Sequence, residues 1–96
     1  MLTLVSKTYR DKKNGNNYSS AQIMIGDDPP IYIAFRYGGR DDIEAEACRI
    51  LNVAYPLAAY CKAVDIPFRH QNYSGFTKKE VKSFGKPWNH EGDKTY

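Results

Sequence analysis

The most reactive side chains in this 96-residue sequence belong to two cysteines and two histidines. Cys61 and His70 could form a dyad in which the imidazole deprotonates the thiol and makes it nucleophilic. Cys61, however, falls on the apolar side of a predicted helix, and Cys48 lies in a similar pattern. We therefore predict two buried, unreactive free thiols, which are typical of a reducing compartment, and place the protein in the cytoplasm.

Metal and phosphate sites need spacings that this sequence lacks. A structural zinc site needs four ligands in close pairs, and no C-x-x-C or H-x-x-x-H pair occurs here. Residues 90–93 (His-Glu-Gly-Asp) hold potential ligands, but we interpret them as part of a solvated terminus. Gly38-Gly39 precedes a predicted helix as a phosphate loop would, yet three carboxylates in that helix start would repel a phosphate. We predict no catalytic residue, no cofactor and no metal.

Surface residues are better candidates for function. One group combines basic residues and a tyrosine near the first hairpin with Arg36 on the third strand. Its basic side chains could contact phosphates, and its tyrosine ring could stack on nucleobases. It consists of Lys7, Tyr9, Arg10, Lys12, Lys13 and Arg36. The alternative is an ordinary solvated sheet face. The lysines near residues 78–86 are interpreted as a surface that keeps the protein soluble.

The second group of candidates is aromatic and lies in the C-terminal half. Its members are Tyr55, Tyr60, Tyr73, Phe76 and Trp88. Tyrosine and tryptophan carry much of the binding energy in protein interfaces, so the group predicts a protein-binding surface. The alternative is a second small core that packs an edge strand against the last helix.

The net charge of +3 is unevenly distributed along the chain. Residues 1–40 carry +3, residues 41–55 carry −3 and residues 56–96 carry +3. This balance is too weak for a histone-like protein but allows a basic patch. No apolar run approaches the length of a transmembrane helix, and the N-terminus lacks the apolar stretch of a signal peptide. We expect no association with membranes.

Alternation and turn residues predict three strands at the start of the chain. Residues 2–10 and 18–25 alternate, and Asn14-Gly15 between them is a strong hairpin signal. A turn with two prolines leads to a third strand at residues 31–37. Its alternation predicts one face with Ile31, Ile33, Phe35 and Tyr37.

Capping residues and apolar spacing predict the helices. Asp41 and Glu44 form a capping box before a helix whose apolar stripe is Ile43, Ala47, Ile50, Leu51 and Ala54. Pro56 begins a second helix. Residues 66–70 form a short edge strand because Pro67 excludes a central position. Residues 77–84 form a last helix, capped by Thr77 and Glu80.

The order β-β-β-α-α-β-α predicts an α+β fold, namely a two-layer sandwich. A three-stranded antiparallel meander and a short edge strand are covered by two to three helices. Residues 1–85 form a single domain and residues 86–96 a polar tail. The centre of the core is expected at Ile33, Phe35, Ile50 and Leu51.

Residues 6–12 (SKTYRDK), 14–19 (NGNNYS) and 35–39 (FRYGG) resemble small uncharacterised proteins encoded by bacteriophages. The resemblance covers the first half of the chain and has no assigned functional residues to transfer. Small phage accessory proteins often bind and disable a host or defence protein, as anti-CRISPR proteins do. The three-strand-plus-helix order is also similar to DNA-binding domains of the AP2 type, whose sheet enters the major groove.

These observations favour a non-enzymatic binding protein. The first hypothesis is a phage-type accessory protein in the host cytoplasm that uses its aromatic residues to inhibit or adapt a host or defence protein. That partner could belong to a nucleic-acid-processing complex. The second is a nucleic-acid-binding domain that uses the basic sheet face, and an enzyme ranks third.

Overall fold

The computed structural model describes residues 1–86, which form four strands and three helices. In chain order these are β1 (Leu2–Asp11), β2 (Asn16–Ile25), β3 (Ile31–Tyr37), α1 (Arg40–Leu51), α2 (Leu57–Ala63), β4 (Phe68–Tyr73) and α3 (Lys78–Phe84). The α+β fold class and the order β-β-β-α-α-β-α are therefore confirmed. Trp88 and residues 90–93 lie outside the described residues.

The strands form one sheet in the order β3-β2-β1-β4. The three N-terminal strands are the predicted antiparallel meander. Its first turn places Gly15 at φ 72°, a left-handed conformation that glycine adopts without strain. β4 pairs in parallel with β1 at the sheet edge, slightly later in the chain than predicted.

The helices α1 and α2 cover one face of the sheet and form the core with it. Successive strand residues face opposite sides, and in β1 the alternation of buried and half-buried residues is regular. The buried apolar side chains are Leu2, Leu4, Ala21, Ile23, Ile33, Ile43, Ala47, Cys48, Leu57 and Cys61. We call this side of the sheet the core face.

A β-bulge reverses the alternation in β3. The pairing passes from Ala21 opposite Ile33 to Ser19 opposite Arg36, so β3 contains one extra residue. Phe35 therefore faces away from the core, and Arg36 faces α1. The prediction that Phe35 shares a face with Ile33 was wrong, because the bulge shifts the side-chain phase by one residue.

The prediction that Ile50 lies in the core was also wrong. The buried residues of α1 are Ile43, Glu44, Ala47 and Cys48, so its buried stripe is rotated toward Glu44. Ile50 is 36% exposed at the margin of that stripe.

The start of α1 lies earlier than the sequence predicts. Its cap residue is Gly39, whose backbone N–H donates to Asp42 Oδ2 at 3.0 Å. The predicted Asp41–Glu44 capping box is therefore wrong. Asp42 satisfies the helix start instead, and Glu44 turns into the interior.

The helix α3 packs on the face opposite the core face. Ser20 Oγ donates to the carbonyl of Val81, and Gln22 Nε2 donates to the carbonyl of Phe84 at 3.1 Å. The approach is close, since a Cβ atom at Gly85 would lie 2.6 Å from the carbonyl oxygen of Ile33. The predicted cap is confirmed, because Glu80 N donates to Thr77 Oγ1 at 3.2 Å. We call this side of the sheet the α3 face.

Candidate functional site

An open cleft of about 650 Å³ lies between the β1–β2 hairpin and the segment that leads into α3. Its walls are Tyr9, Arg10, Asp11, Lys12, Lys13, Gly75, Phe76, Thr77 and Lys78. Four of these residues are basic and one is acidic, which gives the walls a formal charge of +3. We call it the hairpin cleft.

The one acidic wall residue, Asp11, is engaged by the turn itself. Its Oδ1 accepts from the backbone N–H of Lys13 at 3.1 Å, and its Oδ2 accepts from Asn14 Nδ2 at 2.9 Å. The side-chain bond to Asn14, followed by backbone bonds, holds the pKa of Asp11 below its ordinary value. The carboxylate thus orders the loop that presents Lys12 and Lys13, both of which are exposed.

The wall formed by Phe76 is held in place by Lys7. Lys7 Nζ lies 4.6 Å from the centre of the Phe76 ring and 4.5 Å from that of Phe84. Both are cation–π distances. Lys7 therefore joins β1 to Phe76, which precedes α3, and to Phe84 at the end of α3, and is only half-exposed. Its predicted role as a phosphate contact stays a prediction beside this structural contact.

A row of aromatic rings continues from the cleft across the α3 face. Tyr9, Tyr18 and Tyr37 are cross-strand neighbours, with ring centres 6.4 Å apart for the first pair and 5.7 Å for the second. Phe35 stacks on Tyr18 with ring centres 5.3 Å apart and planes 6° from parallel. Tyr37 ends the row and is 65% exposed. We call these four residues the aromatic row.

The structure brings together four of the six residues predicted for nucleic-acid binding. These are Tyr9, Arg10, Lys12 and Lys13. Arg36 does not join them, because the bulge directs it to the core face, where its Nη1 lies 3.0 Å from Glu46 Oε1. Sequence reasoning missed Lys78 as a wall residue, and it assigned Phe76 to the other group.

The five aromatics predicted for protein binding do not form one surface in the described part of the chain. Tyr55 is 56% exposed in the loop between α1 and α2, and Tyr60 packs against the core. Phe76 belongs to the hairpin cleft, whereas Tyr73 is 47% exposed at the end of β4. Trp88 lies outside the described residues.

A chain of polar side chains is buried beneath α1. His70 Nδ1 lies 3.1 Å from Glu44 Oε2, and His70 Nε2 lies 3.0 Å from Ser6 Oγ. Ser6 also contacts Asn72 Oδ1 at 2.6 Å. These distances resemble a serine–histidine–carboxylate triad. Ser6 is fully buried, however, so no substrate carbonyl reaches its hydroxyl. These four side chains form a structural network that satisfies buried polar groups.

The two cysteines are free and buried, as predicted. Burial raises the pKa of both thiols, and the Glu44 carboxylate acts in the same direction. Both ring nitrogens of His70 are engaged by Glu44 and Ser6. A reactive Cys61–His70 dyad is therefore not formed.

Burial lowers the pKa of His70 below its ordinary value of 6.5, although Glu44 acts in the opposite direction. Arg40 favours the neutral imidazole and Asp41 the charged one. The unfolded chain therefore binds this proton more readily than the folded one. We expect the free energy of unfolding to decrease as pH falls below about 6.5, measured by urea unfolding from pH 7.5 to 5.

The variant His70→Gln provides the control for this pH dependence. It should remove the dependence near pH 6 and leave the acid unfolding that arises from carboxylates. Hydrogen bonds from Arg49 are the main reason that the pKa of Glu46 is lowered from 4.5 to about 2. The contribution of Glu46 to stability is therefore lost only as pH falls from about 4.5 toward 2, which is below the range of this experiment. A urea midpoint of the wild type that stays constant from pH 7.5 to 5 would contradict a lowered pKa of His70 in the folded protein.

The described residues contain no group of three or more histidine, cysteine, aspartate or glutamate side chains placed to bind a metal. None of the helices between residues 1 and 86 is long and apolar enough to cross a membrane. No family model matches the chain, and neither the curated proteins nor the solved structures provide a match.

Proposed function

We propose that this protein binds nucleic acid through the hairpin cleft. The observation that carries the proposal is the meeting of four bases and two aromatic side chains around one open cleft. Bases can contact phosphates while rings stack on sugars or nucleobases. The one acidic group in the cleft wall is hydrogen-bonded within the hairpin turn, and the four basic residues outnumber it, so the field at the opening is positive.

The arrangement of the bases supports this proposal over a generally solvated surface. Arg10, Lys12 and Lys13 come from the hairpin, whereas Lys78 comes from the first turn of α3. Two segments that are distant in sequence therefore present charges of one sign across a gap. Such like charges repel one another, and an anionic ligand between them relieves that repulsion.

The salt dependence of binding tests the proposal. The double variant Lys12→Ala/Lys13→Ala should flatten the dependence of log affinity on log salt by about two contacts, or about 1.4–1.8. Both residues are exposed in a turn, so the fold should be unaffected. Fluorescence anisotropy with a labelled oligonucleotide, from ~50 to ~200 mM salt, measures the slope.

The matched control is Lys62→Ala/Arg69→Ala, which removes the same charge from exposed positions outside the cleft. It should leave the slope close to that of the wild type. Equal slopes for all three proteins, or the absence of binding at any salt concentration, would refute the proposal.

A protein partner is the second candidate function, and the exposure of Tyr55 and Tyr73 favours it. Here we propose the phage-type accessory protein, without enzymatic activity, which inhibits or adapts a host or defence protein in the cytoplasm. An affinity pull-down from bacterial lysate separates the two candidates. Capture of a protein that survives nuclease treatment, and is lost in Tyr55→Ala/Tyr73→Ala, supports this second candidate.

A further inference from the structure

We infer that the ligand of the hairpin cleft is single-stranded nucleic acid, with unpaired bases stacked along the aromatic row. The inference rests on the proposed function and specifies its substrate class. It follows from a juxtaposition that the cleft alone does not explain. The basic side chains gather at the hairpin, and the rings of the row continue from that point to the exposed Tyr37.

The aromatic row has the dimensions of a stacking platform. It crosses three adjacent strands, so it extends over two strand spacings, on the order of 10 Å. A sheet surface with aromatic residues on neighbouring strands can stack two or three bases. Tyr18 is fixed between Tyr9 and Phe35, which keeps the platform ordered before a ligand arrives.

The outermost ring is the position most open to a base. Tyr37 makes an edge contact with Tyr18, with an angle of 81° between the two ring planes, and is 65% exposed. Its ring face is therefore not used by a parallel stack within the row. An aromatic ring this exposed at the end of an otherwise packed row is open to a ligand that stacks on it.

Positive charge lies where the backbone of such a strand would run. Lys82 Nζ lies 5.4 Å from the centre of the Phe35 ring, and Lys78 stands on the same helix beside the cleft. Bases that stack on the row would place their phosphates within reach of α3. A groove that combines rings with flanking cations is typical of sites for single strands.

Duplex nucleic acid fits this surface less well. In a duplex both faces of each base are covered by neighbouring bases, so the rings of the row gain no stacking partner. A sheet can enter a major groove only if its face is free, as in the AP2-type arrangement. Here α3 covers the middle of that face through Ser20 and Gln22.

Fluorescence anisotropy titrations with two labelled oligonucleotides test the inference. One is a single-stranded oligo(dT) of about 12 nucleotides, and the other is a hairpin duplex of the same length. At ~150 mM salt the single strand should bind at least about 10-fold more tightly. Tyr37→Ala should weaken binding of the single strand by about 5- to 100-fold, whereas Tyr37→Phe should retain it. Tyr55→Ala, an equally drastic change at an exposed tyrosine outside the cleft and the row, should have no effect.

The outcomes separate this inference from the proposed function. Equal affinity for both oligonucleotides, with no effect of Tyr37→Ala, would overturn the inference and leave the proposed function intact. If neither oligonucleotide binds, both are refuted. Circular dichroism of Tyr37→Ala establishes that any loss of affinity is not a loss of fold.

Discussion

The variant Ile23→Ala is expected to lower the free energy of unfolding by about 2–5 kcal/mol. Ile23 is fully buried in the inner strand β2, between Leu4 of β1 and Ile31 of β3. Removing its side chain leaves a cavity that the paired strands on both sides prevent from collapsing. Because small domains are stable by only about 5–15 kcal/mol, this is a large fraction of the total. Thermal unfolding should show a decrease in Tm of about 10 °C or more.

The neighbouring Met24 provides the control for this prediction. It faces the opposite side of the sheet and is only half-buried. Met24→Ala should therefore cost clearly less than Ile23→Ala, with both measured by urea unfolding. Equal losses would mean that the two faces of β2 contribute equally to the core, contrary to the burial of their side chains.

Local patterns predicted most of the fold correctly. The alternation of β1, the turn at Asn14-Gly15 and the Thr77 cap of α3 depend on interactions between residues close in sequence. β4 lies at the sheet edge as predicted, although Pro67, on which that prediction rested, precedes the strand.

The errors arise where tertiary packing determines the local structure. Nothing in the sequence of β3 distinguishes a regular strand from one with a bulge, and the bulge alone moves Phe35 to the aromatic row. In the same way, Glu44 fits a capping box with Asp41 by spacing. It is instead the partner of His70, a residue that lies far away in sequence.

The hairpin cleft was predicted only in part for a similar reason. Arg10, Lys12 and Lys13 are close in sequence, and their shared location follows from the hairpin alone. Phe76 and Lys78 reach the cleft because α3 crosses the sheet, with Lys7 between the rings of Phe76 and Phe84. No local pattern encodes that contact. The two candidate surfaces that the sequence keeps separate therefore overlap at Phe76.

The burial of Glu44 and His70 predicts an asymmetric response to substitution. The His70 side chain is only 1% exposed, and that of Glu44 is 10% exposed. Since burial lowers the pKa of His70, we expect a neutral imidazole beside the Glu44 side chain at pH 7.5. His70→Ala leaves the carboxylate buried without its partner and should cost about 3–5 kcal/mol. Glu44→Ala leaves only a neutral ring nitrogen unsatisfied and should cost about 1–3 kcal/mol.

A double-mutant cycle measured by urea unfolding at pH 7.5 tests this asymmetry. The variant Glu44→Ala/His70→Ala should lose less stability than the two single changes together, because each single change leaves a buried polar group unpaired. A greater loss for Glu44→Ala than for His70→Ala would mean that the imidazole is charged in the folded protein. In that case the folded chain would bind the proton more readily, and stability would rise as pH falls toward about 6.5 and stay constant below it. The cycle and the pH profile therefore have to agree on the protonation state of His70.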